Sequence, residues 1–177
     1  MSLCDAAGFD EQLRSAVYWT SLLRYIGCTG HAHEVAVVFG DEIGLRALTL
    51  THDGGNIAEV MHDVMTYATA GRSPEEAAPI VEALQAGAHD WAVHNFASGC
   101  EVGDMLTARL DVGDDVRAAL TCTFERWNGQ GFPNAVAGND IPLAMRVVHL
   151  SHDMEAIGRI HSPERAVAAA RERSGRT

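Results

Sequence analysis

Apolar residues recur at helical spacing along nearly the whole chain, and no alternating strand pattern persists for more than a few residues. The clearest helix start is Ser73-Pro74-Glu75-Glu76. Ser73 is a good N-cap, proline suits the first helical position, and Glu76 completes a capping box. The pattern predicts an all-α fold in which residues 1–177 form one helical bundle.

The predicted helices begin at such caps and end at glycines or turns. They span Phe9–Ile26, His33–Leu50, Ile57–Ala70, Pro74 towards Phe96, Glu101–Leu110, Asp114–Arg126, Pro142–Arg159 and Ser162–Arg173. A charged, aromatic and glycine-rich loop from Glu125 to Asp140 comes directly before a long apolar helix. Because function concentrates on loops, this loop is the first candidate for a functional site.

The charge of the chain limits its partners. With a net charge of −11, the chain is not expected to bind nucleic acid by itself, since phosphate binding needs clustered positive charge. Its basic cluster, Arg165, Arg171, Arg173 and Arg176, is predicted to be a solvated helix end. No apolar run is long enough for a membrane span, and Met1–Asp10 lacks the features of a signal peptide, so a cytoplasmic protein is expected.

The loop and the helix after it carry a family resemblance. Glu125-Arg126-Trp127-Asn128-Gly129-Gln130-Gly131-Phe132-Pro133, then Gly138, then Ile141-Pro142-Leu143-Ala144-Met145-Arg146, resembles the signature of HD-GYP domains. These domains are a branch of the HD-domain metal-dependent phosphohydrolases. The resemblance covers residues 124–157 without a gap and implies an HD-type helical core.

The same resemblance implies that most metal ligands of the family have been replaced. The family's ligand positions fall on Arg24, Tyr25, Gly99, Thr123, Phe124 and His152. Phenylalanine, threonine and glycine side chains cannot hold a hard cation, and Arg24 would repel one. We therefore expect no metal, no other cofactor and no catalytic residue at these positions.

This altered pattern, which includes Leu22–Cys28, resembles the HD-like region of LuxR-type transcriptional regulators of actinobacteria. The resemblance implies a non-catalytic sensory or regulatory domain, a fragment of a longer regulator that would reach DNA only through a domain outside this chain. A homodimer is the expected assembly. Another interpretation is a pure interaction module, with the apolar helix face Ala166–Ala170 as a homodimer seam.

The alternative is a metal-dependent phosphohydrolase, or cyclic-dinucleotide phosphodiesterase, that uses a displaced set of ligands for Fe, Mn or Zn. Against it, the pair at 62 and 63 lacks the glycine and lysine that follow the family's His-Asp pair. His149 and His152 share a helix face and are expected to fill a polar gap in the core, or else to hold a stray metal. The displaced set comprises His33, His62, Asp63, His94 (or His89) and Asp153.

Two interpretations of the loop remain open from the sequence. The resemblance implies a loop that helps to hold a small molecule or cyclic dinucleotide, in which arginine forks onto phosphate and aromatic rings stack on bases. A structural loop would instead pair Glu125 with Arg126 and pin itself to the bundle through its aromatic rings. The candidate ligand-binding residues are Arg126, Trp127, Asn128, Gly129, Gly131, Phe132 and Pro133.

Overall fold

The structure is a computed structural model that describes residues 3–39 and 41–176. Residues 1, 2, 40 and 177 of the predicted domain lie outside the described residues. Every regular element in the described ranges is helical, which confirms the all-α prediction. The α-helices are α1 (Leu3–Ala6), α2 (Glu11–Leu23), α3 (Ala32–Phe39), α4 (Glu42–Thr49), α5 (Ile57–Thr69), α6 (Pro74–Arg109), α7 (Asp114–Leu120), α8 (Leu143–Ile160) and α9 (Pro163–Glu172), with short 3-10 helices at Ile26–His31 and Gly138–Asp140.

The predicted capping box is formed at the start of α6. The Ser73 hydroxyl oxygen accepts from the Glu76 backbone N–H at 3.3 Å, and the Ser73 backbone N–H donates to the Glu76 carboxylate at 2.8 Å. Ser162 caps α9 in the same way, since its hydroxyl accepts from the Arg165 backbone N–H at 3.2 Å. These local signals fix where both helices begin.

Three predicted helix boundaries were wrong. The predicted helix His33–Leu50 is two helices, because Asp41 turns away and caps α4 by accepting from the Gly44 backbone N–H at 2.9 Å. The two pieces predicted between Pro74 and Leu110 are one helix of 36 residues. The predicted helix Asp114–Arg126 ends at Leu120, where the chain turns into the loop.

Close backbone packing accounts for the unbroken length of α6. A Cβ on Gly27 would collide with the Gly99 carbonyl oxygen and lie 2.8 Å from the Gly103 backbone nitrogen. The 3-10 helix after α2 therefore lies directly on α6 at a pair of buried helix glycines. This tertiary contact outweighs the weak intrinsic helix propensity of glycine.

The main core forms where α2, α7 and α8 meet. Its buried members include Ala16, Val17, Val116, Ala119, Leu120, Ile141, Met145 and Val148. A second cluster joins Ile157 of α8 to Ala166 and Ala169 of α9. Two residues of the segment predicted as a homodimer seam, Ala166 and Ala169, thus pack inside the molecule, whereas Val167 is exposed. No helix in the described ranges is long and apolar enough to cross a membrane.

Candidate functional site

The structure brings together all six residues that align with the family's ligand positions. Arg24, Gly99, Thr123 and Phe124 line one small cavity of about 10 Å³. Tyr25 joins them through ring contacts, with centroids 6.5 Å from Phe124 and 6.0 Å from His152. The residues just after α2, the middle of α6, the turn after α7 and the middle of α8 supply these side chains, so packing around the main core creates the site.

The side chains at the site do not fit a divalent metal. Phe124 stacks on Phe96 with ring centroids 4.3 Å apart. The Thr123 hydroxyl donates to the Leu120 carbonyl at 2.7 Å. Among the described residues, no group of three or more histidine, cysteine, aspartate or glutamate side chains is placed to hold a metal ion. The donors that hard or borderline cations require are therefore not assembled here.

The displaced ligand set, all of it within the described residues, does not form a metal-binding group either. His33, His89 and His94 are exposed, and the His62 side chain is 79% exposed. Asp63 lies 2.6 Å from His52 instead, and Asp153 accepts from Arg173 at 2.8 Å. These carboxylates have partners that compete with a metal, and the histidines are exposed on α3, α5 and α6.

Two arginines dominate the electrostatics of the site. Arg24 is only 8% exposed, and neither its Nε nor its Nη1 has a hydrogen-bond partner among the described residues. Arg126 donates from Nη1 to the Glu125 carbonyl at 2.8 Å, but its buried Nε has no partner. Burial lowers the pKa of both groups, and the charge of Arg24 lowers that of Arg126 further.

The two histidines of α8 are neutral in this environment. Burial, with the charges of Arg126 and Arg24, lowers the pKa of His149 to about 3. Burial and the charge of Arg24 lower that of His152 to about 4. His149 Nε2 lies 3.0 Å from the Thr123 carbonyl, so Nε2 carries the proton and donates. His149 thus fills a polar gap in the core.

The signature loop is held from within by Glu125. This residue is fully buried, and its carboxylate accepts from the backbone N–H groups of Asn134 at 2.8 Å and Val136 at 3.0 Å. A Cβ on Gly131 would collide with the backbone of Glu125 and Arg126, so only glycine fits that crossing. The Glu125–Arg126 side-chain pair that a structural loop was expected to form is absent.

The other loop residues differ in exposure and contacts. Phe132 lies against Phe96 at 5.3 Å between centroids, and the peptide bond to Pro133 is cis. Trp127 is 36% exposed, with the Arg146 guanidinium 5.7 Å from its ring centroid. Gly129 has φ +74° at the turn. Phe132 therefore pins the loop to α6, whereas Trp127 keeps a face open to solvent.

A second loop, residues 51–56, covers Arg126, and we call it the cover loop. A Cβ on Gly54 would collide with the Arg126 guanidinium, so the loop backbone lies directly on that group. Asn128 of the signature loop donates to the Gly55 carbonyl at 3.0 Å. The cover loop therefore closes the side of the site that faces the chain's C-terminal region.

The C-terminal arginines hold the cover loop in place. Arg173 donates to the carbonyls of Thr51 at 2.6 Å and His52 at 3.2 Å. Arg176 Nε donates to the buried carboxylate of Asp53 at 2.8 Å. The prediction of a solvated helix end was wrong for Arg173, whose side chain is 11% exposed, whereas Arg176 is exposed and still pairs with Asp53. The partners of these arginines in the cover loop lie more than 100 residues away, and no local pattern reveals them.

One curated protein is similar to this chain over most of this chain's length. The chain is 25% identical over 161 residues to 3'3'-cGAMP-specific phosphodiesterase 3 of Vibrio cholerae. The aligned region is 90% of this chain and 35% of the relative, so the chain spans about a third of that protein's length. No protein-family model matches the chain. No solved structure matches it. The similarity supports a distant relation to the HD-domain superfamily.

Sequence reasoning missed three functional features of the site. It did not foresee that Arg126 lies under Gly54, that Asp153 is bonded to Arg173, or that Glu125 organises the loop. Only Glu125 carried a signal, because it begins the signature motif and is an acidic residue beside the apolar end of a helix.

Proposed function

We propose that this chain is a non-catalytic regulatory domain of the HD type, one that binds a ligand and does not hydrolyse it. The observation that carries the proposal is the buried Arg24 guanidinium, which stands among the six residues aligned with the family's metal ligands. Hydrolysis at a two-metal site requires several carboxylate and imidazole ligands and a bound water of lowered pKa. Arginine accepts no hydrogen bond, stays protonated and cannot activate water.

Activity and metal content test this proposal together. We expect the purified chain, supplied with Mn, Fe or Zn, to show no turnover of 3'3'-cGAMP or of a simple phosphodiester, and to retain clearly less than one metal per chain. His161→Ala, at an exposed histidine outside both ligand sets, is the matched control. Metal-dependent turnover that is abolished in His62→Ala or Asp63→Ala, and kept in the control, would overturn the proposal.

A phosphodiesterase that uses the displaced set is the second candidate. The relative is a 3'3'-cGAMP-specific phosphodiesterase, which favours this candidate, and so does the share of this chain that aligns with it. Its difficulty is geometric, because His62 is exposed and Asp63 is engaged with His52. Stoichiometric metal that survives gel filtration would favour this candidate over the first.

The wider setting of the domain is proposed from the LuxR-type resemblance. We infer that the domain passes its ligand state to a DNA-binding domain outside this chain, works in the cytoplasm and forms a homodimer. The net charge of −11 supports DNA contact through another domain. Light scattering tests the assembly, and a monomer at high protein concentration would remove the homodimer.

A further inference from the structure

We propose that Arg24 and Arg126 together form a receptor for a phosphate group, in which two fixed guanidinium groups replace the metal ions of a hydrolytic site. The inference rests on the proposed function, because it treats the site as a binding site. It goes further by naming the chemistry of the ligand and the two side chains that bind it.

The first argument is charge. Asp153 and Asp53, the two carboxylates whose charges act on these arginines, each have another arginine as partner: Asp153 pairs with Arg173 at 2.8 Å and Asp53 with Arg176 at 2.8 Å. The buried Glu125 carboxylate is occupied by two backbone N–H groups. Arg24 and Arg126 have no carboxylate of their own among the described residues. Buried charge without a counter-ion is strongly unfavourable, so an anion that reached the site would be stabilised. The positive charge is local, since the chain as a whole carries −11.

The second argument is the set of unused donors. Buried N–H groups without an acceptor are rare in folded proteins, yet this site has three: Nε and Nη1 of Arg24 and Nε of Arg126. The guanidinium group presents its N–H donors in a rigid fork that matches pairs of phosphate oxygens. The neighbouring histidines are neutral and do not add charge that would have to be balanced.

The number of donors favours phosphate over carboxylate. Two guanidinium groups on different elements can share a phosphate, which offers three or four oxygens at tetrahedral angles. A carboxylate offers two oxygens in one plane and suits a single guanidinium. Phosphate is also the group that a nucleotide would present, and the relative from Vibrio cholerae is a 3'3'-cGAMP-specific phosphodiesterase.

Entry to the site requires the cover loop to move. The cavity beside Arg24 measures about 10 Å³, which is room for about one water molecule. Gly54 lies on the Arg126 guanidinium, next to the Nε that lacks an acceptor. Binding would therefore lift residues 51–56 from Arg126 and open that donor. This links occupancy of the site to the position of Arg173 and Arg176 near the C-terminal end of the described chain.

The experiment is a thermal melt of the full chain with inorganic phosphate titrated against chloride at constant ionic strength. We expect phosphate to raise the Tm by roughly 5 °C at about one hundred times its Kd. Arg24→Gln and Arg126→Gln should lose this shift. Arg159→Gln, which alters an exposed arginine paired with Glu155, should keep it. Without phosphate, Arg24→Gln should melt at or above the wild-type temperature, because it removes an uncompensated charge.

Two results would overturn the receptor: no phosphate-dependent shift in the wild type, or an equal shift in Arg24→Gln and the wild type. If Arg24→Gln does not fold, calorimetric titration of phosphate into the wild type and Arg126→Gln decides the matter. Affinity at least tenfold weaker in Arg126→Gln supports the receptor, and equal affinity overturns it. Titration of AMP and 3'3'-cGAMP distinguishes free phosphate from nucleotide phosphate as the source of the group.

The two proposals fail in different ways. Loss of phosphate binding in every assay would remove the receptor and leave the non-catalytic domain untouched. Metal-dependent hydrolysis of 3'3'-cGAMP would remove the non-catalytic domain even if inorganic phosphate still raised the Tm through Arg24.

Discussion

Two buried charged side chains of the candidate site, Glu125 on the signature-loop side and Arg24 on the α2 side, have their hydrogen-bonding groups satisfied to opposite degrees. On the signature-loop side, the fully buried Glu125 carboxylate accepts from two backbone N–H groups, and the loop closes on it. On the α2 side, the buried Arg24 has two N–H groups without acceptors. Since unpaired buried donors destabilise a fold, Arg24 lowers the stability of the α2 side, whereas Glu125 stabilises the loop, in which only the Arg126 Nε is a buried donor without an acceptor among the described residues.

This difference separates the part of the motif that maintains the fold from the part that determines chemistry. Glu125 and Gly131 make contacts within the protein that need no ligand. The residues at the ligand positions include an arginine, a phenylalanine and a glycine, which share no chemistry. A scaffold can keep the first group while the second changes, and the structure of this chain fits that division.

The largest expected effect comes from the loop side. Glu125→Ala should lower the free energy of unfolding by about 4 kcal/mol, because it leaves two loop N–H groups without their charged acceptor and opens a cavity. The free energy of unfolding of Glu125→Gln should lie between those of the wild type and Glu125→Ala, since its amide keeps one acceptor oxygen. Urea unfolding measures both. Glu155→Ala, on the exposed face of α8, should stay within about 0.5 kcal/mol, and an equally small loss in Glu125→Ala would break the contrast between the two sides.

Local signals predicted most of the fold. The boundaries of α5, α6 at its start, α8 and α9 follow from caps and helical spacing, and each agrees with the structure to within about two residues. The errors arose where tertiary contacts decide. The sequence around Gly99 reads as a helix break, but the contact with Gly27 keeps α6 continuous. Nothing local to either glycine reports that contact.

The second prediction tests that glycine contact. Gly27→Ala should cost about 3 kcal/mol, because its Cβ meets the backbone of Gly99 and Gly103, which cannot move aside as a side chain would. Gly87→Ala is the matched control inside α6, where a Cβ meets nothing within 4 Å. Alanine there should stabilise the helix by roughly 0.5 to 1 kcal/mol. Thermal or urea unfolding measures both, and a neutral Gly27→Ala would disprove the close approach of the 3-10 helix to α6.

Less of the site than of the fold could be predicted. The family resemblance named the positions Arg24, Thr123, Phe124 and His152, and the structure places them together. The partners of these residues were beyond reach, because the Arg176–Asp53 pair spans 123 positions in the chain. A motif reports which side chains line a site, but their hydrogen bonds depend on how distant loops pack over it.

The third prediction concerns pH and the α2 side. The folded pKa of His149 is about 3, below its ordinary value of 6.5, so the unfolded chain binds the proton more tightly. The free energy of unfolding should therefore fall as pH falls below 6.5. The contribution of His149 to this fall is about 1.4 kcal/mol per pH unit. His149→Gln keeps a donor for the Thr123 carbonyl and should reduce this slope. Urea unfolding at pH 7, 6 and 5 measures it.

The control for the pH slope is His161→Gln, which alters an exposed histidine and should leave the slope as in the wild type. His152, with a folded pKa of about 4, contributes in the same direction and accounts for slope that remains in His149→Gln. Equal slopes in His149→Gln and the wild type would show that His149 is not held neutral by burial and by the two arginines.

The smallest expected effect lies where the signature loop contacts the cover loop. Asn128 of the signature loop donates to the Gly55 carbonyl of the cover loop at 3.0 Å and also accepts from the Gln130 backbone N–H at 3.1 Å. Asn128→Ala should cost about 1 kcal/mol or less, because water can replace a half-buried amide. Amide exchange within residues 51–56 should nevertheless accelerate, since the cover loop loses a tie to the signature loop.

Asn134→Ala is the control that separates loss of the Asn128–Gly55 hydrogen bond from the effect of any substitution in the signature loop. The exposed Asn134 acts through its backbone N–H, which alanine retains. Exchange within residues 51–56 should stay at the wild-type rate in this variant. If both variants accelerate exchange equally, the cover loop responds to any change in the signature loop. If neither does, the contacts of Arg173 and Arg176 are enough to hold the cover loop over Arg126, and the Asn128 hydrogen bond is not needed for it.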